Sequence, residues 1–153
     1  MNKYRHFIVR YTIVLVSTVL LSLINVRGNA TAVQSLFTVL GISFSISMSL
    51  IISFDLSQIV NKKYREPIKL SVKATRNGLI WDFIFATFVL LLSSLNIIAD
   101  WELVIKEHTI FHFQTFAVCF LVLSIFYEAR NFIAIHDLNE EIADAIIKEK
   151  NGK

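Results

Sequence analysis

The sequence predicts an all-α protein: an integral membrane four-helix bundle that ends in a short cytoplasmic amphipathic helix. The chain has 153 residues, of which 55% are apolar and 18% are charged, and its mean hydropathy is +0.61. Soluble domains carry roughly 25% charged residues, so the balance favours a lipid environment. Four glycines and one proline in the whole chain leave little turn punctuation. The single cysteine, Cys119, excludes an intramolecular disulfide and a cysteine metal cluster.

Four apolar segments are the candidates for the spanning helices. They are residues 7–26, 33–60, 79–99 and 110–135. The first, as a helix, is about 30 Å long, which matches a hydrocarbon core, and the second is long enough to require tilting or protrusion. Runs such as residues 88–92 do not alternate in polarity as membrane strands do. These segments predict a membrane domain of residues 1–136 and a tail of residues 137–153.

The positive charges predict the orientation of the chain. All of the 15 Lys and Arg residues except Arg27 and Lys106 fall in the N-terminal region, in the predicted loop 61–78, or toward the tail. Cytoplasmic segments carry the excess of Lys and Arg, so both termini are predicted to be cytoplasmic. The first segment also has the shape of a signal peptide, but its apolar run is long enough to span.

A stripe of small residues marks the second helix. It consists of Gly41, Ser45, Ser49, Ser53 and Ser57, spaced four residues apart. Small residues let another helix backbone approach closely, and their hydroxyls can bond across the contact. Three interpretations remain open: packing within one bundle, packing between subunits of a homo-oligomer, and a water-lined pore face.

Charged residues inside or near the apolar segments form a second group. They are Arg10, Asp55, Asp82, Glu128 and Arg130. An ionisable residue within a membrane segment is costly and normally finds a partner, and all five are predicted to lie near the cytoplasmic face. We expect a ring of ion pairs that ties helix ends together, with Arg10 and Arg130 as candidate partners of Asp55. A gate, a proton site or exposure of Asp55 to headgroups is the alternative.

Docking of a soluble partner is expected at the cytoplasmic face. The candidate residues are Lys62, Lys63, Arg65, Leu138, Ile142 and Ile146. The first three open the basic loop, and Pro67 is expected to end the preceding helix. The other three share one face of the tail helix, which Asp137 begins as a capping box. Anionic headgroups could instead explain the loop, and the tail helix could pack on its own bundle. Direct nucleic-acid binding is not favoured.

Catalytic and metal motifs are not found in the sequence. No nucleophile–base set, phosphate-binding loop or G-x-S-x-G turn occurs. His108 and His112 are four residues apart, but zinc catalysis needs three protein ligands. We therefore predict a protein that is not an enzyme and has no cofactor.

The layout resembles a known family. The second helix reads Gly-Ile-Ser-Phe-Ser-Ile-Ser-Met-Ser-Leu-Ile-Ile-Ser-Phe-Asp, and the fourth ends in Glu-Ala-Arg-Asn-Phe-Ile-Ala-Ile-His. Together with the chain length and four predicted helices, this is similar to the KwaA family, the membrane component of the Kiwa anti-phage system. The resemblance implies a tetrameric scaffold and sensor in the bacterial inner membrane that docks a KwaB-like cytoplasmic effector. It assigns no functional residue.

A small ion channel or pore-forming membrane effector is the alternative function. A channel needs polar residues along a helix, and the second helix half meets this requirement through its serines. The third helix offers only Thr87 between residues 83 and 92, which favours the scaffold.

Overall fold

The computed structural model describes residues 3–53, 62–95, 98, 100–105 and 108–151. Its elements in chain order are α1 (Lys3–Leu23), α2 (Ala30–Ser53), α3 (Lys62–Ser94), β1 (Glu102–Ile105), β2 (His108–His112) and α4 (Phe113–Asn151). Within these ranges the chain is therefore nearly all helical, with four helices and a two-stranded hairpin between α3 and α4.

Three of the helices are long and apolar enough to cross a membrane. These candidate spans are Ala30–Ser53, Arg65–Ser94 and Phe113–Leu138. The apolar part of α1, Ile8–Leu23, is shorter, because the helix ends three residues before the predicted end of the first segment. Many large aliphatic and aromatic side chains lie exposed on the outer faces of the helices, as a lipid-facing surface requires.

The connection between α1 and α2 is a tight and well-satisfied turn. Asn25 has a positive φ of 61°, and the Val26 N–H bonds to the Leu21 carbonyl at 2.9 Å, which is the Schellman arrangement at a helix C-terminus. Four residues later, Asn29 Oδ1 accepts a hydrogen bond from the Ala32 N–H at 2.7 Å and caps the start of α2. The two asparagines therefore fix where α1 ends and α2 begins.

The third helix corrects the predicted basic loop. Residues 62–78 are helical and continue into the apolar segment, and α3 ends at Ser94 instead of residue 99. Lys and Arg are good helix formers, so a run of cations does not by itself break a helix. Pro67, expected to end the preceding helix, is instead the sixth residue of α3, where its ring removes one i→i−4 hydrogen bond but does not end the helix.

A β-hairpin replaces the predicted loop before the fourth helix. β1 and β2 pair antiparallel, with Leu103 opposite Phe111, and the register shifts between Leu103 and Val104. Consequently α4 begins at Phe113 and not at residue 110. The prediction of a purely helical chain was wrong here, because β-branched and aromatic residues on both sides of the 106–107 connection favour strands.

The fourth helix runs through the predicted tail without a break. α4 has 39 residues, about 58 Å at 1.5 Å per residue. Asp137, expected to start a separate helix, lies within it, since no glycine or proline interrupts residues 113–151. α4 contacts each of the other three helices, and its Ala117, Phe120 and Leu121 are fully buried. It is therefore the central helix of the bundle.

Candidate functional site

A buried ion pair links α1 to α3. Arg10 Nη1 lies 2.5 Å from Asp82 Oδ1, and the side chains are 17% and 5% exposed. The Arg10 Nη2 group also donates to Ser124 Oγ of α4 at 2.6 Å. One guanidinium therefore holds together three helices that are far apart in sequence.

Aromatic rings cover the same guanidinium. The Arg10 Cζ atom lies 4.8 Å from the centroid of the Tyr127 ring and 5.5 Å from that of Phe120. Both distances are within cation–π range. The apolar cover lowers the local dielectric and strengthens the interaction between Arg10 and Asp82.

A second carboxyl group lies in the same region without a counter-ion. Glu128, one helical turn after Ser124, is fully buried. Neither of its carboxyl oxygens has a hydrogen-bond partner within the described part of the chain, although the Ser47 side chain faces it from α2. Asp82 Oδ2 and Asn131 Nδ2 are also buried without a partner there. We call Arg10, Asp82, Ser124 and Glu128 the buried polar cluster.

The structure brings together three of the five predicted charged residues. Arg10, Asp82 and Glu128 lie in the buried polar cluster, whereas Arg130 is exposed on α4 and has no salt bridge to a described residue. Asp55 lies outside the described residues. Among the described members of this group, Arg10 and Asp82 form one ion pair beside the buried Glu128, and the part of the predicted ring that involves Asp55 stays a prediction.

The serine stripe turns progressively away from the bundle. A Cβ atom built on Gly41 would lie 3.9 Å from the Phe83 ring of α3, so Gly41 faces a neighbour in the same chain. Ser45, Ser49 and Ser53 are all exposed, as the 40° rotation per four residues requires. These three serines therefore do not pack within this bundle. Ser57 lies outside the described residues.

Other polar residues of α2 extend this exposed surface and were missed in the sequence. Thr31, Ser35 and Thr38 are exposed, and at 100° per residue they lie within about 40° of Ser49 around the helix. We call the six exposed residues Thr31, Ser35, Thr38, Ser45, Ser49 and Ser53 the polar face of α2. Only Ile42 interrupts it at that angle. In the sequence, Thr31, Ser35 and Thr38 are marked by an irregular spacing of three and four residues. A stripe defined by a strict four-residue spacing does not include them.

Several hydroxyls of this face are satisfied by the helix itself. Ser45 Oγ donates to the Gly41 carbonyl at 2.8 Å, and Ser53 Oγ donates to the Leu50 carbonyl at 2.7 Å. Thr38 Oγ1 donates in the same way to Gln34. Such back-bonding lets hydroxyls face an apolar surrounding at low cost, while their lone pairs stay available to another molecule.

The predicted docking residues lie on the ends of α3 and α4. Arg65 is exposed, and with Lys69, Lys73 and Arg76, all exposed as well, it falls within an 80° arc of α3. We call these four residues the basic stripe of α3. Lys62 and Lys63 belong to the first turn of α3.

The corresponding part of α4 borders a cavity. Leu138 is partly buried and, with Ile135, Ile51 and Val72, lines a cavity of about 240 Å³ between α2, α3 and α4. Ile142 and Ile146 lie in α4 beyond it. Leu138 therefore contributes to the bundle, in agreement with the alternative that the tail packs on its own chain.

The opposite end of the bundle is closed by the α1–α2 turn. The Thr115 hydroxyl accepts from the Gly28 N–H at 3.1 Å and donates to the Val26 carbonyl at 3.2 Å. A Cβ on Gly28 would lie 2.5 Å from the Gln114 carbonyl oxygen, so only glycine fits this approach.

A buried histidine lies beside this turn. His112 Nδ1 is 3.5 Å from Thr115 Oγ1, and 6% of the residue is exposed. Burial and the nearby Arg27 cation lower the pKa of His112, against the opposing effect of Glu102 and Asp100. The described residues contain no group of three or more His, Cys, Asp or Glu side chains that could hold a metal ion.

The fold and this geometry define a class, a helical protein with three candidate membrane spans and a polar cluster buried among its helices. No family model, curated protein or solved structure matches the chain.

Proposed function

We propose that the chain is a non-enzymatic scaffold and sensor of the bacterial inner membrane, which self-associates through α2 and docks a soluble cytoplasmic effector. The observation that carries this proposal is the polar face of α2. It runs along a candidate span, and the other described residues leave it exposed.

Self-association follows from the properties of that face. Hydroxyl-bearing and small residues allow close helix packing in lipid, where no hydrophobic effect drives helices together. The outer face of α1, by contrast, presents Ile13, Val16 and Leu20, which suit lipid contact. A second copy of α2 is the surface that best matches the polar face, and a symmetric assembly such as the tetramer implied by the KwaA resemblance would bury it at the axis.

Docking is supported by the lengths of α3 and α4. α3 has 33 residues and α4 has 39 residues, about 50 and 58 Å, whereas a hydrocarbon core is about 30 Å thick. Both helices therefore exceed a membrane, and the basic stripe of α3 lies at the end where the excess occurs. With the termini in the cytoplasm, this stripe and the end of α4 form the surface for an acidic partner, a KwaB-like effector if the resemblance holds.

A channel is the second candidate, and the same face favours it. If copies of α2 meet around an axis, the hydroxyls of Ser45, Ser49 and Ser53 would line that axis. Close packing through small residues seals the axis, while a wider ring leaves it open to water. The two functions therefore differ in ion conductance and not in the residues involved.

The self-association proposal is tested by Ser49→Leu, which places a bulky side chain in the centre of the polar face. Native mass spectrometry of the protein in detergent should show an oligomer for the wild type and a monomer for the variant. Ser94→Leu is the matched control, because Ser94 is an exposed serine of α3 that also bonds its own helix. Loss of the oligomer in both variants, or in neither, would contradict the proposal.

The scaffold and channel functions are separated by reconstitution in liposomes. A scaffold should leave a potassium gradient intact for hours, whereas a channel should dissipate it, and Ser49→Leu should then abolish the leak. Docking is tested by co-purification with a KwaB-like effector: Lys69→Glu with Lys73→Glu should abolish this co-purification. Arg27→Glu, an exposed charge at the other end of the bundle, should retain it.

A further inference from the structure

Glu128 is the acid of the buried polar cluster that forms no ion pair with a described residue. It is fully buried and both of its carboxyl oxygens lack a partner among the described residues. The Arg10 guanidinium, the cation of the cluster, already contacts Asp82 at 2.5 Å and Ser124 at 2.6 Å. Its Nε–H remains without a partner but carries no additional charge.

The charge inventory of the cluster does not balance. The polar and titratable groups of the other three helices that act on Asp82 or Glu128 are Arg10 and the Tyr11 phenol from α1, Ser47 from α2, and Asp82 itself from α3. With both carboxyls ionised, these groups and Glu128 would hold two negative charges against one positive charge. An uncompensated carboxylate in a buried site is neutralised by its surroundings or by a proton.

We propose that the buried polar cluster is a binding site for a single proton, which Glu128 holds at neutral pH. A proton on Glu128 balances the charges, because Arg10 then pairs with Asp82 alone. It also turns Glu128 into a hydrogen-bond donor, and Asp82 Oδ2 is a buried acceptor without a donor among the described residues. Asn131 Nδ2, three residues further along α4 and likewise unpaired within the described part of the chain, can donate to the remaining Glu128 oxygen.

The site lies where proton release would act on the whole bundle. Glu128 belongs to α4, the central helix, and Asp82 and Arg10 tie α3 and α1 to it. Loss of the proton leaves a net negative charge between α1, α2, α3 and α4, which favours their separation or the entry of water. This inference is independent of the proposed docking and self-association, because the protonation of Glu128 can be measured in a monomer.

Infrared difference spectroscopy of the full-length protein in detergent tests the proposal. The wild type at pH 7 should show the carbonyl band of a protonated carboxyl group, shifted in D2O. Glu128→Gln should lack this band, and Glu140→Gln, an exposed glutamate of the same helix, should keep it at full amplitude. A wild type without the band, or a Glu128→Gln variant that retains it, would overturn the assignment.

The pH dependence of thermal unfolding supplies a second test, because a purely structural role of Glu128 would not change that dependence. The unfolded chain releases this proton in the ordinary titration range of a glutamate, whereas the folded chain holds it to a higher pH. Wild-type stability should therefore fall as the pH rises from that acidic range to the pH at which the folded protein releases the proton, and level off above it. The Glu128→Gln variant should show a flatter profile over the same range. Infrared spectra at equal pH in sodium chloride and in choline chloride complete the test. Loss of the protonated-carboxyl band in sodium chloride alone would assign the site to sodium and refute its assignment as a proton site.

Discussion

Replacing Arg10 with Met tests the central ion pair of the bundle. The change keeps an apolar stem and removes the guanidinium, so the Asp82 side chain, 5% exposed, loses its counter-ion. Breaking one side of a buried pair costs about 3–5 kcal/mol, because the remaining charge stays buried and uncompensated. Loss of the contact with the Tyr127 ring at 4.8 Å adds about 0.5–2 kcal/mol. We expect the free energy of unfolding to fall by about 5 kcal/mol.

The double variant Arg10→Met with Asp82→Leu isolates the pair from the effect of truncation. Replacing both partners by apolar residues of similar size removes the uncompensated charge, so most of the lost stability should return. A double-mutant cycle should give a coupling energy of about 2–3 kcal/mol. Equilibrium unfolding in mixed micelles, followed by tryptophan fluorescence and circular dichroism, measures all four proteins.

The Arg27–Glu102 pair is the matched control. Its atoms are 3.4 Å apart, but its side chains are 57% and 34% exposed, and exposed ion pairs contribute about 0–1 kcal/mol. Arg27→Met should therefore cost less than about 1 kcal/mol. Equal losses in Arg10→Met and Arg27→Met, or additive effects of the Arg10 and Asp82 changes, would refute the reasoning from burial.

Three further predictions concern the opposite end of the bundle, the α3 helix and the orientation. The pKa of His112 lies below its ordinary value of 6.5. As the pH falls below 6.5, the unfolded chain therefore protonates His112 before the folded protein does, and wild-type stability should decline. A pH series of thermal unfolding should show that His112→Gln removes this decline. Gly28→Ala should lower the free energy of unfolding by about 1–3 kcal/mol through overpacking. Gly78→Ala, whose Cβ would meet its nearest neighbour at 3.5 Å, should be neutral or stabilise α3 by up to about 1 kcal/mol. Denaturant titration of both variants measures these differences. Alkaline phosphatase fused at Asn29 should be active and at Lys153 inactive, and the reverse result would invert the orientation.

The helical class and its apolar segments could be predicted because both depend on local composition. The predicted starts of the second and fourth segments, residues 33 and 110, each lie three residues from the starts of α2 and α4, and the predicted third segment overlaps the apolar part of α3. The predicted start of the third helix was wrong because a run of cations does not by itself indicate a loop, and Arg65, Lys69 and Lys73 follow helical spacing. The hairpin was missed because Val104 and Ile105 are too short a run to stand out beside long apolar segments, whereas their β-branched side chains were the available signal.

The charged members of the buried polar cluster could be found from the sequence, but Ser124 and the arrangement of the cluster could not. Arg10, Asp82 and Glu128 are conspicuous as charges in apolar surroundings. Which acid pairs with Arg10 depends on how α1 packs against α3 and α4, and no local pattern encodes that packing. The outward direction of Ser49 likewise depends on which face of α2 the other helices cover. The sequence therefore indicated the participants, and tertiary packing decided their partners.

The central claim is that copies of this chain associate through the polar face of α2. Cysteine cross-linking in native membranes tests this claim most directly. Ser49→Cys in a Cys119→Ala background, where the native thiol is buried, should form a covalent dimer on mild oxidation. Leu91→Cys, at an exposed apolar position of α3, should remain monomeric under the same conditions. Efficient cross-linking at Ser49 with none at Leu91 is the predicted result; a monomeric Ser49→Cys protein, or equal cross-linking at both positions, would contradict the claim.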